Sequence, residues 1–489
     1  MILESELLAA YPAEVNVPAD LVSDKVAASN RVLIVLDDDP TGTQSVAGLP
    51  VLTRWDVTDF DWVFGHQIDG ALAKAVYVLT NTRSLDPAEA QVRNQEIVVN
   101  ALASARHAGI SVGFVSRSDS TLRGHFPLEP DTIAETLSAE NASSVDGVVI
   151  VPAFPDAGRI TIGGVHYTRG EHGSLIPVAD TEFAKDASFS FSHSSLADYV
   201  EEKSHGRIPA ARVITLDLPL IRRGTPEAGA MAIADALDPA TESTPIVVDA
   251  VTENDLRVLA LGLEESERRG KSFIYRVGPP FVRARIGQEI HAPLATEEIF
   301  HANRTVPAGS ARGGLIVVGS HVGVTTRQLK ALTEAHSSAR IVEIAVEKLL
   351  SDDSASHVSD VVREIARALV TGDVIVHTSR LLIKSDDGAA SLKIARTVSA
   401  AVVDVVNQTL KSTPPRFVIA KGGITSSDVA AHGLEIRHAI VRGPMLPGIV
   451  SLWEPVDGPA AGIPYIVFAG NVGDEQSLAA VTRKLSDTF

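Results

Sequence analysis

The sequence predicts an α/β protein of two domains, each a mostly parallel sheet flanked by helices. Three observations carry that expectation. Short runs rich in Val, Ile and Leu alternate with helical stretches of about 12 to 20 residues, which is the rhythm of βαβ units. Aromatic residues are only 5% of the 489, so the core must come from Val, Ile, Leu and Ala, the usual material of strands buried on both faces. The rhythm breaks once, between Gly278 and Gly313, where Pro279, Pro280, Pro293 and Pro307 gather, and then it resumes.

Residues 1–30 read as a helical or irregular lead-in punctuated by Pro12 and Pro18. The run Arg31-Val-Leu-Ile-Val-Leu36 is the first strand, and Ala75–Leu79 the second. Asp86-Pro87 is an N-cap and first-turn pair for a helix from Pro87 to Ala108, which Gly109 stops. Strands follow at Ile110–Val115, Gly147–Val151, Val213–Leu216, Ile246–Asp249 and Ser272–Arg276, with helices near 225–237 and 252–269. The first domain thus covers 31–277, and the crossing to the second covers 278–313. The second domain, 314–489, opens on the strand Leu315–Val318. Its further strands fall near 340–346, 373–377, 416–420 and 465–469, and its helices near 324–336, 359–371, 390–410 and 474–485.

Composition excludes several classes. Lys and Arg number 43 against 61 Asp and Glu, a net charge of −18. That balance argues against nucleic acid or an anionic membrane as the main partner, because phosphate backbones need a concentrated positive surface. There is no cysteine, which removes disulfides, thiolate nucleophiles and cysteine-based metal sites. The N-terminus carries acids where a targeting segment carries basic residues, and no apolar run approaches a membrane span. A cytoplasmic protein is expected.

Three polar loops follow strands of the first domain directly: Asp37-Asp-Asp-Pro-Thr-Gly-Thr43, Thr80-Asn-Thr-Arg-Ser84 and Ser116-Arg-Ser-Asp-Ser-Thr-Leu-Arg-Gly124. Ligands of open α/β sheets bind at the carboxyl ends of strands, so three such loops should converge on one crevice. Turns alone would explain Asp, Pro and Gly but not Arg83, Arg117, Asp119 and Arg123. Guanidinium forks grip carboxylates, and aspartates accept from vicinal hydroxyls or take a hydroxyl proton. The set suits a small polyhydroxy carboxylate, with Arg159 in a further polar segment after the strand 147–151.

In the second domain, Lys421-Gly-Gly-Ile-Thr-Ser-Ser427 follows a strand and opens a short helix. Gly319-Ser320-His321 and Gly470-Asn-Val-Gly473 end two other strands. Glycine loops at three strand ends of one sheet suit a nucleotide cradle. The sequence lacks the P-loop, the H-E-x-x-H zinc motif and a strand-terminal G-x-G-x-x-G. Its G-x-S-x-G, Gly109–Gly113, lies at a strand start and is no nucleophile elbow.

The loops Asp37-Asp-Asp-Pro-Thr-Gly, Arg117-Ser-Asp-Ser-Thr-Leu-Arg-Gly124 and Lys421-Gly-Gly-Ile-Thr-Ser stand in the same order in the four-carbon acid sugar kinases, a family this sequence resembles over about residues 31–485. The resemblance implies an N-terminal acid-sugar-binding domain, a C-terminal nucleotide-binding domain, and ATP-dependent phosphorylation of tetronates, 3-oxo-tetronates and related acids. It implies Asp37, Asp38, Arg83, Asp119, Ser120, Arg123 and Arg159 as the acid-sugar site, and Ser320, Gly422, Gly423, Thr425 and Gly470 as ATP contacts. Two positions depart from the family pattern. Ile424 stands where members often carry an acid between the paired glycines and the Thr, and Arg117 where many carry Lys.

The expected function is therefore a kinase for the terminal hydroxyl of a small sugar acid, using ATP and Mg²⁺, with either Asp38 or Asp119 as base and no metal ligand assigned. A homodimer is compatible with this reading. The rival is a non-catalytic sensor derived from such a kinase, which Ile424 alone supports; ADP release with a panel of acids separates the two.

Overall fold

Seven strands run parallel in the first half of the chain, in the spatial order Ile214–Leu216, Thr244–Val248, Gly147–Val151, Phe273–Val277, Ser111–Arg117, Arg31–Asp37 and Ala75–Leu79. This computed structural model describes residues 2–68, 70–301, 309–379 and 388–489. The central strands are buried along almost their whole length, as apolar runs without alternation require. The helix Pro87–Ala108 has the expected ends: the Asp86 carboxylate accepts from Glu89 N–H at 2.9 Å, and Gly109 closes it at φ +67°.

The chain forms two compact units, Met1–Leu49 with Trp55–Ile290, and Pro50–Arg54 with His291–Phe489. The lead-in is structured within the first unit. Its helix Ala19–Ala27 buries Ala19, Val22 and Val26, and its strand Ile2–Leu3 pairs with Leu175 and Ser174. That strand edges a small antiparallel sheet with Arg159–Ile162, Val165–Arg169 and Ser174–Pro177, which period reading missed because each strand is so short. The proline-rich stretch after Gly278 does not run free over its described residues. Pro280–Arg285 is a buried helix of the first unit, whereas Leu294 and Ile299 lie in the core of the second. Residues 302–308, with Pro307, lie outside the described residues.

The second unit holds the parallel strands Tyr465–Phe468, Val418–Lys421, Leu315–Val318, Val374–Thr378 and Arg340–Ile344 in that order. A hairpin of His438–Leu446 and Ile449–Pro455 adds antiparallel beside Tyr465–Phe468, a pair the sequence reading did not contain. The segment Pro50–Arg54 also belongs here, with Thr53 N–H donating to Arg437 O at 3.2 Å. Among the described residues no helix is long and apolar enough to cross a membrane.

Candidate active site

In the first unit the site begins where strands stop. Asp37 is the last residue of Arg31–Asp37, and it lies in register with Arg117 on one neighbouring strand and Leu79 on the other. The loops leave together from that level. Thr80 N–H donates to Asp37 O at 3.0 Å, Asp38 N–H to Arg117 O at 3.4 Å, and Arg83 N–H to Asp38 O at 3.3 Å. The three loops expected to converge do so.

Arg117 donates through Nε to Asp37 Oδ1 and through Nη2 to the Asp39 carbonyl, and its Nη2 is 3.3 Å from Asp38 Oδ1. Arg83 takes Asp38 with both prongs, Nη2 to Oδ1 at 2.7 Å and Nε to Oδ2 at 3.1 Å. Thr41 N–H, at 2.9 Å, and the Thr41 hydroxyl fix Asp39. Gly42 is required here, because a Cβ would collide with Asp37 Oδ1 and Arg117 Nε. On the other side Gly124, at φ +117°, brings bare backbone to Asp38, where a Cβ would stand 3.1 Å from Oδ2.

Three carboxylates therefore face two guanidiniums; Asp37, Asp38 and Arg117 are fully buried, and Arg83 and Asp39 are partly so. One negative charge is in excess. Burial pushes the Asp37 carboxyl up to about 7 against the pull of Arg117, and Asp38 and Asp39 add to the rise. Burial raises Asp38 as well, with Arg83 and Arg117 opposing and the nearby Glu129 adding to it.

Asp119 is the opposite case. Burial works against its charge, but Arg83, Arg123 and hydrogen bonds from Arg123 and Thr121 outweigh it and hold the carboxyl well below its usual range. Arg123 Nε donates to Asp119 Oδ2 at 2.7 Å, and its Nη1 is 3.8 Å from Asp186. Arg159 lies near enough to feel the charges of both Asp119 and Arg123, with burial the main influence and lowering its pKa. The Ser120 carbonyl meets His166 Nε2 at 2.8 Å, and that buried ring is held at Nδ1 by Thr161 at 2.9 Å. Burial lowers the His166 imidazole to about 4, so it is neutral and structural.

Several members of this network are not among the candidate site residues named from the sequence. Glu129 accepts from Thr82 and Arg276, and from Ser116 Oγ at 3.2 Å, which makes a second buried ion pair behind Asp38. Phe183 lies under both Arg123 and Arg159.

In the second unit the three glycine loops meet. Thr325 Oγ1 donates to Gly470 O at 2.8 Å and lies within hydrogen-bond reach of Ser320 Oγ at 3.1 Å. A Cβ on Gly470 would stand 2.7 Å from Ser320 Oγ, and one on Gly422, at φ +134°, would stand 2.9 Å from Thr425 Oγ1. Ser320, Gly422, Thr425 and Gly470 are thus one locus, with Gly423 as the first residue of the helix Gly423–Asp428. Beneath them the buried Lys421 donates from Nζ to Ala469 O at 2.6 Å and lies over the Phe468 ring. Burial pulls its amine down to about 7. Ile424 is 57% exposed.

Comparison with known proteins decides the family. A sugar-binding N-terminal domain matches residues 33–285, and a nucleotide-binding C-terminal domain matches residues 315–478. The chain belongs to the four-carbon acid sugar kinase family. Within this kinase family it is similar to a D-erythronate kinase of Heliobacterium modesticaldum, 28% identical over 313 residues. That match takes in 63% of this chain and 61% of the relative, so the chain spans less than two thirds of that protein's length. A D-threonate kinase of Cupriavidus necator is 25% identical over 393 residues, 78% of this chain and 83% of its own. The fold resembles that of a Salmonella typhimurium LT2 protein at TM-score 0.66 and 17% identity, covering 94% of this chain and 100% of that one. A Haemophilus influenzae protein follows at TM-score 0.59 and 17% identity, covering 92% and 99%.

Proposed function

We propose that this chain is a cytoplasmic ATP-dependent kinase that phosphorylates the terminal hydroxyl of a four-carbon sugar acid, a tetronate or 3-oxo-tetronate. The observation that carries the proposal is the split between two neighbouring acids: Asp38 is raised by burial, while Asp119 is held ionised by guanidiniums. A general base works best with a pKa near the working pH, so Asp38 is the better proton acceptor. Asp119 is the better permanent acceptor of hydrogen bonds from the hydroxyls of the acid.

Asp37, Arg117 and Arg83 hold Asp38 in place rather than contacting the acid first, since their charged atoms are already spent on one another. The carboxylate of the acid is taken by Arg123 and Arg159, and the Ser120 hydroxyl adds a polar contact. Ser320, Gly422, Gly423, Thr425 and Gly470 receive the phosphates of ATP, and their converging hydroxyls and bare backbone fit that group. Bound ATP with Mg²⁺ supplies the transferable phosphoryl group and neutralises charge that develops on it. Among the described residues no three His, Asp or Glu side chains gather as a metal site, so phosphate oxygens and waters would hold most of the coordination shell.

A coupled assay of ADP release tests this with D-erythronate, D-threonate, their stereoisomers and the 3-oxo acids. Turnover on at least one, and none on the matching polyols, is the expected result. Binding of acid and ATP without turnover on any acid would make the protein a sensor instead.

A further inference from the structure

Two guanidiniums share one aromatic ring in the first unit. The Arg123 Cζ lies 5.2 Å from the centroid of Phe183, and the Arg159 Cζ lies 5.9 Å from it. They come from different elements: Arg123 from the loop after Ser111–Arg117, Arg159 from the first residue of the strand Arg159–Ile162. Like charges this close repel, and beside the dominant effect of burial Arg123 disfavours the charge on Arg159. The ring face, with its negative quadrupole, offsets part of that cost.

The ring itself is well anchored. Phe183 sits in the short turn Glu182–Lys185, and its neighbour Ala184 is buried in a core with Leu122, Phe126, Phe191 and Tyr199. Phe191 N–H donates to Ala184 O at 3.1 Å, and Asp186 N–H to Phe183 O at 3.3 Å. Phe183 is only half-buried, so a ring in a fixed turn faces the charged cluster.

Two carboxylates lie on the same side as the two guanidiniums. Asp119 is the one carboxylate bonded to Arg123 at short range, with Asp186 more distant at 3.8 Å. Arg83 and Arg159 also act on that same Asp119. Arg159 Nη1 donates to the Ala157 carbonyl, while its buried Nε has no partner. Arg159 makes no ion pair with a carboxylate of the described residues, and its planar fork beside that of Arg123 fits the carboxylate of a ligand.

We infer that Phe183 is a positioning residue: its ring is the platform on which Arg123 and Arg159 are set as a two-armed clamp for the carboxylate of the acid. This rests on the acid-sugar reading proposed above. The ring touches no reacting atom, and it acts through the two arginines. It contributes to holding the acid and nothing to holding the nucleotide.

The test is calorimetric binding of D-erythronate to the full chain without ATP, alongside the neutral polyol erythritol, in wild type, Phe183→Leu and Phe183→Tyr. Losing two partly exposed cation–π contacts should weaken acid binding about tenfold in Phe183→Leu, while Phe183→Tyr stays within about twofold of wild type. Steady-state assays should show the same split, a raised KM for the acid with kcat and the KM for ATP unchanged. The inference is overturned by unchanged acid binding in Phe183→Leu, by equal losses in Leu and Tyr variants, or by a parallel loss of ATP binding. The tenfold loss supports the platform even if no ADP forms, a result that would instead overturn the kinase reading. Absence of acid binding by the wild-type chain overturns both.

Discussion

Arg83 grips Asp38 with two hydrogen bonds, at 2.7 and 3.1 Å, across 45 residues of sequence. The grip places a buried carboxylate at the carboxyl edge of the sheet with one face left to the bare backbone of Gly124. A charge held so tightly would ordinarily be a poor base. Here the loss of solvent and the nearby Glu129 weigh on the other side.

The pH profile should expose that balance. A base must be unprotonated to act, so kcat/KM should fall toward acid pH along a limb above the ordinary carboxylate range, as the raised Asp38 requires. Asp38→Asn should abolish most turnover while leaving thermal unfolding cooperative. Asp119→Asn should instead raise the KM for the acid and leave the limb where it was, because that carboxyl is ionised throughout. A limb that moves with Asp119 would exchange the two roles.

The glycine locus gives a test on the other substrate. Gly470→Val would drive a branched side chain against Ser320 Oγ and toward Val322. The KM for ATP should rise about tenfold or more, with the KM for the acid nearly unchanged. Equal effects on both substrates would show that this loop does not serve the nucleotide.

Much of this was legible from the chain. The buried parallel strands announce themselves as apolar runs, and loops that begin at Asp37, Thr80 and Ser116 leave the sheet where the sequence said they would. What was not legible depended on pairs far apart. Arg83 stands among the acid-sugar site residues in the sequence, and nothing local reveals that its fork also meets Asp38. Glu129 and Arg276 sit 147 residues apart and look like ordinary charged residues of a helix and a strand. The segment 181–186 fits the family pattern in the sequence, but it is the fold that brings two arginines over Phe183. The hairpin 438–455 went unseen because a Gly-bearing pair of strands interrupts the α/β rhythm on which the reading relied.

Stability of the second unit should depend on one buried pair. His336 Nε2 and Asp373 Oδ2 are 2.8 Å apart, fully buried, and Asp373 Oδ1 accepts from Gly314 N–H at 2.7 Å. Burial opposes the Asp373 charge, but His336 and the backbone bond prevail and lower its pKa. The stabilisation is therefore present above the unfolded carboxylate range and is lost as pH falls through the lower folded value. Asp373→Ala should cost about 3–5 kcal/mol in urea unfolding at neutral pH, since it strands a buried partner. The gap to wild type should narrow on acidification; a constant gap would point to packing instead.

The last expectation concerns Arg123, whose Nε is bound to Asp119 at 2.7 Å while its plane lies over Phe183. That leaves the outer edge of a fixed fork to set the direction of the acid, so that the far hydroxyl is offered to the base. Lysine would keep the charge but is a point donor, free to rotate and unable to hold Asp119 and a carboxylate in one plane. Arg123→Lys should therefore lower kcat/KM for the acid by about two orders of magnitude, roughly 2.7 kcal/mol of transition-state stabilisation. The KM for ATP should hardly move, because Arg123 belongs to the first unit and the glycine locus to the second. A collapse of nucleotide binding with acid binding intact would mean that Arg123 meets phosphate, and the carboxylate would then have to be held by Arg159 alone.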